Sequence, residues 1–223
     1  MAKVFLSAGH GGSDPGAVGN GMSEKDINLV TMLACRDELI RHKVEVVCSR
    51  TKDENDPVGQ EVKEANASGA KIAVSFHVNA GGGDGFEAYY FSKSSEGKKL
   101  AKLCEKQIVK LGQNSRGIKT GDKLYFIKNT TMTAVLCESF FIDNSKDKSI
   151  GDTIDEQKAL GVAYAKAILE YLGIAYKAPV KPASSSAKTY CVQVGSFSSK
   201  KKAEAMVNDL KAAGFDNAYV TTK

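Results

Sequence analysis

Two kinds of apolar run alternate along the chain. Short stretches rich in Val, Ile, Phe and Tyr cover residues 3–8, 44–48, 71–77, 87–91 and 134–138, and their length and composition predict strands. Between them apolar positions recur at three- and four-residue spacing, which predicts helices. Ser23 with Asp26 three residues later has the form of a capping box, and Leu29, Val30, Leu33 and Ile40 then fall on one predicted helix face. Asp56-Pro57 offers an N-cap and a first-turn proline for a shorter helix ending near Ser68. Further helices are predicted over about residues 98–111 and 154–172, whereas 113–129 lacks a clean period and reads as loops around a short strand. This alternation predicts an α/β domain, a twisted and mostly parallel sheet with helices on both faces.

The pattern changes after residue 176. Residues 177–188 mix Pro179, Pro182 and the serines 184–186 with three lysines and show no apolar period, the composition of an exposed linker. Residues 189–194 then alternate as a strand, Gly195-Ser196 supplies a turn, about 199–213 reads as a helix stopped by Gly214, and 218–222 reads as a second strand. The chain thus divides into a domain over 1–176, a linker over 177–188 and a small β-α-β unit over 189–223. Such a unit cannot bury its apolar face alone, since chains below roughly 40 residues usually need a disulfide, a metal or a partner to fold.

Charge sharpens the reading of the tail. The chain of 223 residues carries a formal net charge of +5, and residues 177–223 hold eight lysines against three acidic residues, so the tail supplies the whole excess. That bias suits an anionic cell envelope. It does not suit nucleic acid, because no arginine follows Arg116 and aromatic residues are sparse, leaving few stacking or bidentate contacts. No run approaches the roughly 20 apolar residues that span a bilayer, and the first residues lack an apolar leader core, so no membrane partner is expected and synthesis is expected in the cytoplasm. The five cysteines, Cys35, Cys48, Cys104, Cys137 and Cys191, lie in apolar sequence without Cys-x-x-Cys spacing and read as buried, reduced thiols.

The chemistry sits in a few short motifs. His10 follows the first strand in Ser7-Ala8-Gly9-His10-Gly11-Gly12, and His77 ends the third in Ser75-Phe76-His77-Val78-Asn79. Both rings can therefore converge at the carboxyl edge of the sheet, where α/β proteins place ligand sites. Glu24 lies in the first turn of the next helix, where it is either an ordinary helix-start acid or a third member of that cluster. Two histidines, one carboxylate and an open position form the ligand set of a hydrolytic zinc, one ion per chain. Glu138 closes the apolar run Thr133-Ala134-Val135-Leu136-Cys137, and a charge there is costly to bury unless a metal or its water gives it a purpose. Its neighbour Cys137 should face the opposite side of the strand. His42, between Arg41 and Lys43 at a predicted helix C-terminus, reads as a favourable cation at the negative end of the helix dipole.

In order along the chain, Ala8-Gly9-His10-Gly11-Gly12-Ser13-Asp14-Pro15-Gly16-Ala17, Glu24 with Asn28, Ser49-Arg50-Thr51, Ala65-Asn66, Ser75-Phe76-His77-Val78-Asn79, Gly85-Phe86-Glu87 and the segment from Glu138 to Asn144 resemble the zinc-dependent N-acetylmuramoyl-L-alanine amidases of the type 3 group. The resemblance spans about residues 3–172. It implies His10, Glu24 and His77 as zinc ligands and Glu138 as catalytic base. The implied reaction is hydrolysis of the amide between N-acetylmuramic acid and the L-alanine of the peptidoglycan stem peptide. Two departures stand out: members commonly read Asp-Pro-Gly-His where this chain has Ser7-Ala8-Gly9-His10, and often carry arginine a few residues before the Ala-Asn pair, where this chain has Glu61 and Lys63. The segment Thr189-Tyr190-Cys191-Val192-Gln193-Val194-Gly195-Ser196-Phe197, with Ala203, Leu210, Gly214 and Phe215, resembles half of a sporulation-related repeat that binds glycan strands. Two such halves from two chains could pair, which implies a homodimer through residues 189–223.

Two other readings of the same residues stay open. One is a zinc-containing protein that binds peptidoglycan without cleaving it; the other is a zinc peptidase acting on ordinary peptides. A wall hydrolase without an export signal is expected to reach its substrate after lysis or through a pore, as a phage-type lysin or as an autolysin freed from a sporulating mother cell.

Overall fold

The computed structural model describes residues 2–179, 194–215 and 218–220. It divides into two compact units, Met1–Ala178 and Pro179–Lys223. In chain order the larger unit comprises β1 (Lys3–Ala8), a short hairpin of β2 (Val18–Gly19) and β3 (Met22–Ser23), α1 (Glu24–Arg41), β4 (Glu45–Cys48), α2 (Val58–Ala67), β5 (Ile72–Asn79), β6 (Phe86–Tyr90), α3 (Ser95–Ile108), β7 (Ser115–Thr120), α4 (Tyr125–Asn129), β8 (Thr133–Phe141) and α5 (Ile154–Tyr171). Six strands form one sheet in the order β4-β1-β5-β8-β6-β7. The strands β4, β1, β5 and β8 are mutually parallel, while β6 runs antiparallel to β8 and carries β7 beside it in its own direction.

Alternation along the strands feeds two cores. Val4, Leu6, Val74, Phe76, Val135 and Cys137 pack with Met32 and Cys35 of α1, Leu100 and Cys104 of α3, and Leu160 and Ile168 of α5. On the other face Phe5, Ala73, Ala134 and Leu136 meet Val62 and Ala65 of α2 and Phe126 and Ile127 of α4. The expected sheet, mostly parallel and covered on both faces, is what the chain builds. His77 and Glu138 continue the second set of positions, so they emerge on the α2 side toward the carboxyl ends of β5 and β8.

Local details differ from the sequence expectations for identifiable reasons. Ser23 does precede α1, but its side chain makes no capping hydrogen bond, so the Ser23–Asp26 box does not form. The buried stripe of α1 runs through Ile27, Asn28, Thr31, Met32, Cys35 and Leu39, while Leu29, Val30 and Leu33 are half-buried and Ile40 is 53% exposed. Polar side chains sit on the inner face because they serve the site and the neighbouring helix: Asn28 bonds the Gly9 carbonyl and Thr31 bonds the Gln157 carbonyl of α5. Pro57 is the N-cap of α2 rather than its first helical residue, which leaves Asp56 outside the helix. Region 113–129 holds a full edge strand, β7, and the short α4. A capping box does occur elsewhere, at α5, where the Thr153 side chain accepts from Glu156 and the Glu156 side chain accepts from Thr153.

In the smaller unit, α6 (Lys200–Ala212) corresponds to the expected helix. Residues 180–188 of the expected linker, Cys191, and residues 189–193 and 221–222 of the two expected strands lie outside the described residues. Residues 218–220 show no strand pairing among the described residues. Cys35, Cys48, Cys104 and Cys137 are all free thiols, Cys48 half-buried and the others buried.

Candidate active site

Neighbouring parallel strands bring the histidines together. β1 pairs with β5 as far as Ala8 opposite Phe76, so Gly9-His10, which follows β1, and His77, which continues in β5 paired to β8, lie at the same carboxyl end of the sheet. His10 sits at a φ of 65°, a conformation uncommon outside glycine and asparagine. Two glycines make the space. A Cβ on Gly9 would run into the His77 ring, and one on Gly16 would lie 2.7 Å from His10 Cδ2 and 2.6 Å from Glu24 Oε2. Helix α1 starts at Glu24 and turns that carboxylate between the two rings.

Every oxygen of Glu24 is engaged, and only 4% of the residue is exposed. Oε1 lies 2.9 Å from His77 Nδ1 and accepts from the Val78 N–H at 3.1 Å and from Asn28 Nδ2 at 3.3 Å. Oε2 lies 3.3 Å from His10 Nε2 and accepts from the Ala17 N–H at 2.8 Å. The opposite nitrogen of His10, Nδ1, is 2.9 Å from Asp14 Oδ2. The two imidazoles meet edge to face with centroids 5.2 Å apart. Ligating atoms from His10, Glu24 and His77 all lie within 4.8 Å of one another, a group able to hold a metal ion.

Electrostatics follow from that packing. Burial works against the Glu24 charge, but hydrogen bonds from His10 and His77 outweigh it and hold the carboxyl well below its usual range. The Glu24 hydrogen bond raises His10 to about 9 against the opposing effect of burial. Burial likewise opposes the charged form of His77, yet the bond to Glu24 and the nearby Glu138 charge leave its pKa raised. Glu24 thus favours the protonated imidazoles, with which a bound cation would compete.

Glu138 is the direct neighbour of this group. It pairs in register with His77 across β5 and β8, and with Glu87 across β8 and β6. Its Oε2 is buried without a hydrogen-bond partner among the described residues, an uncommon condition for a carboxylate. Burial pushes its pKa up to about 7, with the Glu24 and Glu87 charges adding to the rise and His77 opposing it. An orphaned acidic oxygen, a glycine-lined space and a His-Glu-His donor set fit a metal centre with an open position. Cys137 points into the opposite core, fully buried. His42 lies apart from the site, its Nδ1 2.8 Å from the Glu38 carbonyl and its ring stacked on Tyr176.

Three further residues act here without any sequence signal for their roles. Asp14 orients His10 through Nδ1, the carboxylate–histidine arrangement that fixes a ligand's tautomer. Arg50, 2% exposed, donates to the carbonyls of Ala8 at 2.9 Å, Lys25 at 2.7 Å and Lys52 at 3.2 Å, tying together the ends of β1, the start of α1 and the loop after β4. Glu61 of α2 is buried and accepts a hydrogen bond from Ser7, so the two departures from the family pattern touch one another.

Comparison with known proteins agrees with this arrangement. The profile of the family described as N-acetylmuramoyl-L-alanine amidase matches residues 4–170, and that of the SPOR domain matches residues 186–223. A sporulation-specific N-acetylmuramoyl-L-alanine amidase of Bacillus subtilis (strain 168) is 34% identical over 97% of this chain and 84% of its own. An endolysin of Bacillus phage SPP1 is 36% identical over 86% of this chain and 77% of its own. Among solved structures, the catalytic domain of CwlV, an N-acetylmuramoyl-L-alanine amidase from Bacillus (Paenibacillus) polymyxa var. colistinus, superposes with a TM-score of 0.73 at 35% identity, covering 78% of this chain and all of that one. With a family match over most of its length, relatives that span nearly all of it and the same α/β fold, the chain belongs to the N-acetylmuramoyl-L-alanine amidases.

Proposed function

We propose that the chain hydrolyses the amide between N-acetylmuramic acid and the L-alanine of the peptidoglycan stem peptide, using zinc held by His10, Glu24 and His77, with Glu138 as the proton-transfer group. The observation that carries the assignment of Glu138 is its buried, unpartnered Oε2 one strand away from His77. When bound, zinc supplies Lewis acidity that lowers the pKa of a water toward about 7 and stabilises negative charge developing on the scissile carbonyl oxygen. Glu138 Oε2 accepts the proton of the attacking water. The same oxygen then delivers that proton to the alanine nitrogen, which cannot leave as an amide anion at neutral pH. A carboxyl with a pKa near 7 is matched to both halves of this task. Asp14 and Asn28 hold His10 and Glu24 in place throughout.

The test follows newly released L-alanine amino termini from Gram-positive peptidoglycan. Glu138→Gln is expected to lower kcat by about 10²- to 10⁴-fold while zinc content stays at one per chain, and chelation followed by zinc should abolish and restore wild-type activity. A Glu138→Gln protein that cleaves at the wild-type rate removes this residue from the mechanism. Wall binding without new termini from any well-folded sample favours a non-catalytic binding protein, and cleavage of free peptides instead favours a peptidase.

For the rest of the chain we propose a catalytic domain over 1–176, a linker over 177–188, and a wall-binding unit over 189–223 that pairs with a second copy. A dimeric mass at micromolar concentration is the expected result, and a monomeric mass counts against pairing. We place the enzyme's action on the wall after lysis or pore-mediated release. Among the described residues no helix is long and apolar enough to cross a membrane. Finding the protein in the medium of intact growing cells would contradict that route.

A further inference from the structure

Beside the proposed catalytic group the sheet carries a second charged cluster that the reaction does not use. Register aligns His77 of β5, Glu138 of β8 and Glu87 of β6 in one row across the sheet. The next strand, β7, bulges opposite Glu87, between the pairs Phe86–Ser115 and Ala88–Ile118, so Arg116 and Gly117 continue the row. Glu87 is 3% exposed. Its Oε1 accepts from Arg116 Nε at 2.6 Å and from Lys119 Nζ, and its Oε2 accepts from the Tyr89 hydroxyl at 2.6 Å and from Asn79 Nδ2 at 3.4 Å. Burial would raise the pKa of Glu87, but the bonds from Lys119, Tyr89 and Arg116 bring it down to about 2.

Two cations meet at the one buried carboxylate, and Asp84 is a further acid acting on Arg116. The arginine and lysine side chains remain 40% and 38% exposed, so both cationic groups reach the solvent side of the row. Arg116 spends only Nε on Glu87; its two Nη groups have no hydrogen-bond partner among the described residues, and its guanidinium lies 5.2 Å from the centroid of the Phe141 ring. The fork is therefore held from behind by Glu87 and from one face by Phe141, with its outer edge available.

We propose that Arg116 and Lys119, positioned by Glu87, form a subsite for a carboxylate on the peptide side of the substrate. This rests on the amidase reading above. Adjacent strands lie about 4.8 Å apart, so Arg116 stands roughly 10 Å along the row from Glu138, with Lys119, opposite Tyr89, farther along β7. An extended peptide advances about 3.3–3.6 Å per residue, which puts the matching group two to three residues beyond the scissile amide. The sugar side offers no such group: its acetamido substituent is neutral, and the lactyl carboxyl is consumed in the amide being cleaved. A guanidinium edge with an ammonium beside it is suited to bidentate recognition of a carboxylate.

The experiment compares kcat/KM of the zinc-loaded full chain on two muramoyl peptides of one sequence, the first with the carboxyl groups beyond L-alanine free and the second with them converted to carboxamides. Wild type is expected to prefer the free form by about tenfold, the preference shrinking as salt rises. Arg116→Gln and Lys119→Gln should each pull the ratio toward one; using both keeps the test valid if one variant folds poorly. A wild-type ratio near one, or variants that lose activity on both peptides with the ratio unchanged, overturns the subsite while leaving the amidase reading intact. Failure of wild type to cleave either peptide overturns that reading and the subsite with it.

Discussion

Replacing Gly9 by alanine tests whether His77 belongs to a metal centre at all. The backbone of Gly9 is not in the left-handed region, so an alanine there meets no conformational penalty; what it meets is the His77 ring. The new Cβ would stand 2.7 Å from Nδ1 and closer still to Cε1 and Nε2, and ordinary contact begins at 3.4 Å. The ring must therefore retreat by roughly 0.7 Å at Nδ1 and further at its far edge, because side-chain carbon cannot interpenetrate it. Metal–ligand distances tolerate only about 0.2 Å, so His77 is lost as a ligand or held out of line. Loss of an outer-shell partner alone typically weakens a metal site 10- to 100-fold, so displacing a ligand should weaken zinc by at least about 100-fold, or roughly 2.7 kcal/mol. Competition against a chromogenic zinc chelator measures this directly, with circular dichroism to establish that the sheet is intact. Gly59→Ala in α2 is the control, since a Cβ there meets nothing within 4 Å and alanine favours a helix. Wild-type zinc affinity in a stably folded Gly9→Ala protein would falsify the placement of His77 beside the metal.

Arg50→Met should cost about 3 kcal/mol or more in urea unfolding, because three carbonyls lose a buried charged donor; a loss below about 1 kcal/mol would show that solvent replaces the clamp. Ser7→Asp should be destabilised by about 2 kcal/mol at neutral pH, since it sets a second carboxyl against buried Glu61, itself raised to about 7 by burial. Adding Glu61→Arg should recover most of that loss, and a double variant no better than the single one argues against direct coupling. In chelator-stripped protein His10 titrates at about 9 rather than 6.5, so the stabilisation it contributes is complete below pH 6.5 and is lost as pH rises through about 9. The difference amounts to roughly 3 kcal/mol, and equal urea midpoints at pH 6.5 and pH 9.5 would contradict it.

The parts of the fold that were legible are those whose sequence obeys one constraint at a time. β1 and β5 are covered on both faces, so 3–8 and 71–77 read as mostly apolar runs, interrupted within by the buried Ser7 and Ser75. His10 and His77 stood out because an ionisable ring directly after such a run has few reasons to be there. Glu24 was different: an acid at a helix start is ordinary, and only its position between two rings distinguishes it. The roles of Asp14, Asn28 and Arg50 rest on which carbonyl or ring nitrogen the folded chain leaves open, a question no spacing rule addresses.

The two elements that resisted a pattern-based reading explain themselves by position. α1 hides a polar stripe because Glu24 and Asn28 must face the histidines, which spoils the apolar period on the helix that carries them. β7 shows only a weak strand signature, a short strand among loops, because its sequence, Ser115-Arg116-Gly117-Ile118-Lys119-Thr120, places two cations toward buried Glu87 and takes a bulge at glycine to do so. Both departures from good folding sequence sit at the ends of one row of side chains running from the His-Glu-His group through Glu138 and Glu87 to Arg116. Local rules are expected to fail where a chain must hold charge in a defined place rather than bury carbon. A sequence-level misfit that falls on the sheet edge beside a known site is therefore itself a pointer to binding chemistry, and here it points to the carboxylate subsite on β7.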